Sequence, residues 1–186
     1  MAIVGGLLWL SNITYPELCY ITGQLARFMT NPGPTHFKAA TRVLLYLHTA
    51  ADRPLVYTPV TTKGFEAYVD SNWATGFSCS GTMCMYHGCL FHWASKMQRS
   101  VTLSSAEAEY FGAMIASRDV VFVREILYDL GITQQGPSVI YSDSKSAVDM
   151  AFDPIAFKKT KHILRAAEFL RDLVLKEVIM LTHVVE

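Results

Sequence analysis

No surplus of positive charge marks this sequence: its 186 residues carry 16 Lys and Arg against 16 Asp and Glu. Affinity for a polyanion built on net charge needs a basic chain, so any nucleic-acid surface here has to be a local patch. Charged residues are scarce at 17%, while hydrophobic ones make up 51%. That balance supplies a sizeable core and excludes wholesale disorder. Close C-x-x-C pairs are missing as well. The four cysteines are Cys19, Cys79, Cys84 and Cys89, the last three at even spacing near His87 and His92. Zinc stays open on that spacing, with reduced core cysteines as the ordinary alternative. Long apolar runs are absent too. The hydrophobic opening, residues 1–10, lacks a basic leader and a cleavage signature and is too short to cross a bilayer. No membrane partner is expected, and so abrupt a start reads as the interior of a longer protein. No internal repeat or low-complexity tract appears.

Residues 1–60 read as a small helical domain. Leu18, Ile21, Leu25 and Phe28 fall on one stripe of a helix opened by Pro16. Asn31-Pro32-Gly33-Pro34 is a firm stop. Thr35 suits the N-cap of a further helix with Phe37, Ala40, Leu44 and Leu47 facing inward. The next stretch, with Pro54, Pro59 and Gly64, holds at most a short strand at 55–57, and the domain boundary is placed near residue 60.

From Phe65 the period changes to two. Phe65, Ala67 and Val69 share one face of a strand and Glu66 and Tyr68 the other. Strands at 81–86 and 89–94, joined at His87-Gly88, complete an antiparallel meander. Ser104-x-x-Glu107 is a capping box opening a long helix whose apolar stripe is Phe111, Ile115, Phe122, Ile126 and Leu130. A strand at 139–142, a helix from Lys145, a helix capped by Thr160 and a strand at 178–185 follow. The order βββαβααβ denotes an α/β domain over 61–186 with a mixed sheet: three antiparallel strands, then strands alternating with helices.

Three acids occupy comparable places on different elements. Asp70 ends the first strand, Glu109 lies in the first turns of the long helix, and Asp143 ends the fourth strand. A lone buried carboxylate is costly unless paired or bound to a cation. Carboxylates gathered at element ends form a hard-oxygen site that suits Mg2+ or Mn2+, and two such ions can act on one phosphodiester. Each acid also has a plainer role open to it. Asp143 can cap the following helix, and Glu109 can be an ordinary helix glutamate.

Several strings, in order, resemble the Pol polyprotein of copia-type LTR retrotransposons. YVDSNWA resembles its Y-x-D-A-D-W-A-G, LSSAEAEY its L-S-S-T-E-A-E-Y, IYSDSKSAV its I-x-x-D-N-x-S-A-I, and KKTKHI its R-T-K-H-I-D. These lie in that family's ribonuclease H domain. GGLLWLSN, LARFM-x-NP and KAATRVLLYL, within residues 1–60, resemble the end of its reverse transcriptase. The resemblance implies a ribonuclease H-like fold and hydrolysis of the RNA strand of an RNA–DNA hybrid. It assigns Asp70, Glu109 and Asp143 as catalytic acids holding two Mg2+ or Mn2+ ions. It makes Ser71, Asn72, Ser105, Ser144, Lys159, Lys161 and His162 the candidate nucleic-acid contacts, and the remainder of the Pol polyprotein, the reverse transcriptase, a partner. The implied location is a cytoplasmic virus-like particle or the nucleus. Asn72 replaces the family's second acid, Tyr15 stands where arginine is common, and the 74–80 loop is shorter than usual. The fourth acid, in an A-D-x-x-T-K segment, and the closing helix are expected beyond Glu186. The polymerase motif Y-V-D-D is absent, so no DNA polymerisation is expected. A truncated, inactive retroelement-derived domain that binds nucleic acid or a protein partner is the alternative.

Overall fold

A computed structural model describes residues 2–60, 62–74, 76–99, 101–102, 104–152 and 161–184, with backbone alone at 161–166. It divides into two compact units: Met1–Tyr57 with Trp93–Lys96, and Thr58–His92 with Met97–Glu186.

The first unit holds α1 (Ala2–Ile13), a 3-10 turn (Pro16–Leu18), α2 (Cys19–Ala26) and α3 (Pro34–Thr49). Leu7, Leu18, Leu25, Ala40 and Val43 form its core. The register of α3 differs from the sequence expectation. Gly33, not Thr35, is the N-cap, and its N–H donates to His36 Nδ1 at 2.9 Å. The buried stripe accordingly runs through Ala40 and Val43, leaving Phe37 and Leu44 exposed, and Phe28 instead stacks on His36. Residues 55–57 carry no strand.

The second unit is a five-stranded mixed sheet, ordered β3-β2-β1-β4-β5, with helices from the second half of the chain packed on it. The strands are β1 (Phe65–Asn72), β2 (Cys79–Tyr86), β3 (Cys89–Met97), β4 (Ser138–Ser142) and β5 (Ile179–His183). β1 lies in the middle, antiparallel to β2 and parallel to β4, which is parallel to β5. His87 and Gly88 both take positive φ, 51° and 77°, the backbone of the two-residue turn that matches strand twist. Phe65, Ala67 and Val69 are buried and alternate with half-buried Glu66 and Tyr68, as the period of two requires. The connections are α4 (Ser105–Asp129), α5 (Lys145–Phe152) and α6 (Lys161–Leu175).

The long helix turns a different face to the sheet from the one its large side chains suggest. Ala108, Gly112, Ala113, Ala116, Val120, Val123 and Leu127 are buried, whereas Phe122, Ile126 and Leu130 are exposed. The reason is distance. At Gly112 an added Cβ would fall on Ser71 Oγ, with Ser71 Cβ and Val69 Cγ2 each 3.3 Å away. Small residues at these positions let the helix come that close to β1 and β2, and Phe122, Ile126 and Leu130 are turned outward, while Tyr110 is buried in the core and Phe111 packs against it.

Candidate active site

Asp70 projects from β1 between two buried residues of its inward face, Val69 and Ser71. The alternation that buries Val69 sends Asp70 to the opposite side, into solvent. Ser104 Oγ accepts the Glu107 N–H at 3.2 Å and starts α4, so Glu109 falls in its second turn. Asp143 follows β4 directly. The side-chain cap of α5 is Ser144, whose Oγ accepts the Ala147 N–H at 3.3 Å, so that role does not fall to Asp143. The Asp143 carbonyl lies 2.9 Å from His183 Nε2 at the end of β5. One carboxylate oxygen from each of Asp70, Glu109 and Asp143 lies within 4.8 Å of the others. Residues far apart in the chain meet because β1 and β4 are parallel neighbours and α4 lies against β1.

The electrostatics of the trio are unfavourable without a cation. Asp70 and Asp143 are exposed, while Glu109 is half-buried and its Oε2 is out of solvent with no hydrogen-bond partner. Burial, reinforced by the neighbouring Asp70 and Asp143 carboxylates, pushes the Glu109 carboxyl up to about 7, against the pull of the Ser71 backbone N–H. An orphaned buried oxygen facing two further carboxylates is a donor set that fits a hard divalent ion. Among the described residues no other group of three or more His, Cys, Asp and Glu converges in this way. Among the described residues Cys79, Cys84 and Cys89 do not converge with His87 or His92; Cys84 is buried, Cys79 and Cys89 are half-buried, and none is in a disulfide.

The raised pKa has a consequence for the metal-free protein. Folded Glu109 keeps its proton to higher pH than the 4.5 of an ordinary glutamate. The stability this confers is fully present below that value and is lost as pH rises through about 7. Thermal melts of the metal-free wild type should therefore show Tm falling between about pH 5 and about pH 8, and Glu109→Gln should flatten the decline.

The other candidate contacts scatter. Asn72 and Ser105 are exposed, and Asn72 Oδ1 accepts the Cys79 N–H at 2.9 Å. Ser144 is half-buried and occupied as the α5 cap. Ser71 does not reach the surface: it is 5% exposed and its hydroxyl meets Ser80 Oγ at 2.9 Å. Strand alternation explains this, because Ser71 points inward where Asp70 points out. Lys159 and the Thr160 cap lie outside the described residues, as do the side chains of Lys161 and His162. Trp73, half exposed, is anchored by its Nε1–H, which donates to the Thr102 carbonyl at 3.1 Å. No helix among the described residues is long and apolar enough to cross a membrane.

No protein-family model matches the chain. The retrovirus-related Pol polyprotein from transposon RE2 of Arabidopsis thaliana is 32% identical over 186 residues, 98% of this chain. The chain spans 13% of that polyprotein's length. Secreted RxLR effector protein 161 of Plasmopara viticola is 35% identical over 127 residues, covering 66% of this chain and 89% of that protein. Among solved structures, LC11-RNase H1, isolated from compost, superposes with a TM-score of 0.51 at 17% identity, over 65% of this chain and 84% of that one. At that identity the likeness speaks for the fold.

Proposed function

Because the chain belongs to the retrovirus-related Pol polyprotein family of transposons and its larger unit has the ribonuclease H fold, we propose that it is the ribonuclease H of a copia-type element. In this reading it hydrolyses the RNA strand of RNA–DNA hybrids with two divalent ions. The observation that carries it is the meeting of Asp70, Glu109 and Asp143, from β1, α4 and β4, within 4.8 Å.

Asp70 and Asp143, both exposed, would hold the ions on the side open to a phosphodiester. Glu109, set deeper, would complete the ligand set with its Oε2, which has no hydrogen-bond partner among the described residues. Bound divalent ions supply Lewis acidity, a water of lowered pKa and charge neutralisation at the leaving oxygen. The products carry a 3′-hydroxyl and a 5′-phosphate. A hybrid is recognised by its shape and its 2′-hydroxyls rather than its sequence. Residues 1–60 are the end of the reverse transcriptase in this reading, the rest of the polyprotein is the partner, and the location is a cytoplasmic virus-like particle or the nucleus.

The test is a labelled hybrid incubated with Mg2+ or Mn2+, alongside the corresponding DNA duplex. Cleavage confined to the RNA strand of the hybrid, ending in a 5′-phosphate, is expected. Binding of the hybrid with no cleavage in either ion would replace this reading with that of an inactive, nucleic-acid-binding domain.

Metal uptake also has an expected pH dependence. The Glu109 proton competes with the ion, and its pKa is about 7. Mn2+ affinity should weaken about tenfold between pH 8 and pH 6, measured by calorimetry on the intact chain. A flat profile would remove Glu109 from the ligand set.

A further inference from the structure

Beneath the three acids runs a line of buried polar groups outside the ligand set. Gln98, just past β3, is 2% exposed. Its Nε2 donates both hydrogens inward: to Ser80 Oγ at 2.8 Å and to the Ala108 carbonyl at 2.8 Å. Ser80 Oγ in turn lies 2.9 Å from Ser71 Oγ. The Gln98 backbone N–H donates to the Ser78 carbonyl at 2.8 Å, which fixes where the side chain starts. A carbonyl oxygen only accepts, so the nitrogen end of the amide has to face Ala108. One side chain therefore ties the end of β3 to β2 and to the first turn of α4.

Both ends of this tie stop one residue short of an acid. Ser71 follows Asp70, and Ala108 precedes Glu109. The acids repel one another, and without a restraint α4 can relieve that repulsion by moving away from β1. Buried polar groups are costly unless bonded; both hydrogens of the Gln98 amide find acceptors, while its Oε1 is buried with no hydrogen-bond partner, so the tie is made through the nitrogen alone. A glutamine and two serines at this depth give a restraint with direction that apolar packing does not.

We propose that Gln98, acting through Ser80, is a positioning residue for the divalent-ion site: it holds the first turn of α4 against the end of β1 and so sets the separation of Asp70 and Glu109. The inference rests on the reading of the acids as metal ligands. It concerns groups that touch neither ion nor substrate.

The experiment is titration of the purified full chain with Mn2+, followed by calorimetry and by electron paramagnetic resonance, beside thermal melts. Gln98→Met keeps the volume and removes the donors; it should weaken Mn2+ binding at least about tenfold, the effect usual for a lost outer-shell partner. Ser80→Ala breaks the same line elsewhere and should weaken binding too. The double variant should be weaker by less than the product of the two, since both cut one connection. Ser117→Ala is the control. It removes an equally buried hydrogen bond within α4, Ser117 Oγ to the Ala113 carbonyl at 2.7 Å, and should lower Tm while leaving Mn2+ affinity unchanged. If Gln98→Met does not fold, Ser80→Ala carries the same expectation. Wild-type affinity in Gln98→Met or in a folded Ser80→Ala, or an equal loss in Ser117→Ala, overturns the inference alone. A wild-type chain that takes up no Mn2+ overturns the reading of the acids and this inference with it.

Discussion

Asp70→Asn should lower cleavage of the hybrid's RNA strand by more than about a hundredfold, beyond the loss usual for an outer-shell partner of a metal, while leaving the protein at least as stable as wild type. The two halves of that expectation come from the same geometry. Asp70 shares a site with two other carboxylates whose ligand atoms lie within 4.8 Å. Removing its charge takes away one ligand and part of the negative field that attracts divalent ions. In the metal-free protein the same change relieves like-charge repulsion, so Glu109, whose pKa Asp70 helps to raise, should titrate closer to an ordinary glutamate. A Tm that is unchanged or higher then separates lost chemistry from lost structure. Glu107→Gln is the comparison, since Glu107 lies outside the acid trio and should retain near-wild-type rates. Cleavage that survives Asp70→Asn would end the two-ion reading.

The second large effect is on folding. Gly112→Val should destabilise the protein by about 3 kcal/mol, the upper end of ordinary overpacking costs, read from urea unfolding curves. The first added carbon would already collide with Ser71 Oγ and crowd Val69. Ser71 has little room to turn away, because it is buried and its hydroxyl is engaged with Ser80. Gly112→Ala should also destabilise, though less, because alanine returns up to about 1 kcal/mol of helix propensity. Gly5 and Gly6 in α1 provide the contrast. A Cβ at either meets nothing within 4 Å, and alanine there should stabilise by up to about 1 kcal/mol. The same substitution is thus expected to change sign between α1 and α4, and a stabilising Gly112→Ala would contradict the close approach of helix and sheet.

Much of this architecture was legible because strand alternation is a local rule. The period of two in Phe65, Ala67 and Val69 defined both the strand and the exit of Asp70 toward solvent. The box at Ser104 likewise fixed the start of α4 and so the turn on which Glu109 lies. The inward face of α4 was not legible from the same kind of rule. The helix carries large apolar residues on several sides, and Phe111, Ile115, Phe122, Ile126 and Leu130 make the more hydrophobic stripe. What decides between stripes is how near the sheet lies, a tertiary fact. The four-residue steps Ala108, Gly112, Ala116 and Val120 were the available signal. In α3 the cap is the glycine before Pro34, two positions ahead of Thr35, and Ala40 and Val43 rather than Phe37 and Leu44 are buried. Gln98 gave no sign at all. It lies among other polar residues, and its burial depends on β2 and α4 arriving from elsewhere in the chain.

β1 is bonded along both edges, to β2 on one side and β4 on the other. Fraying from an end of the sheet cannot reach it, so its amides should exchange with solvent deuterium only when the whole unit opens. The acid it carries is then present in every native molecule and absent from every opened one. Specific activity in a series of weakened variants should follow the native fraction as a single proportionality, with no population that is native-like yet inert.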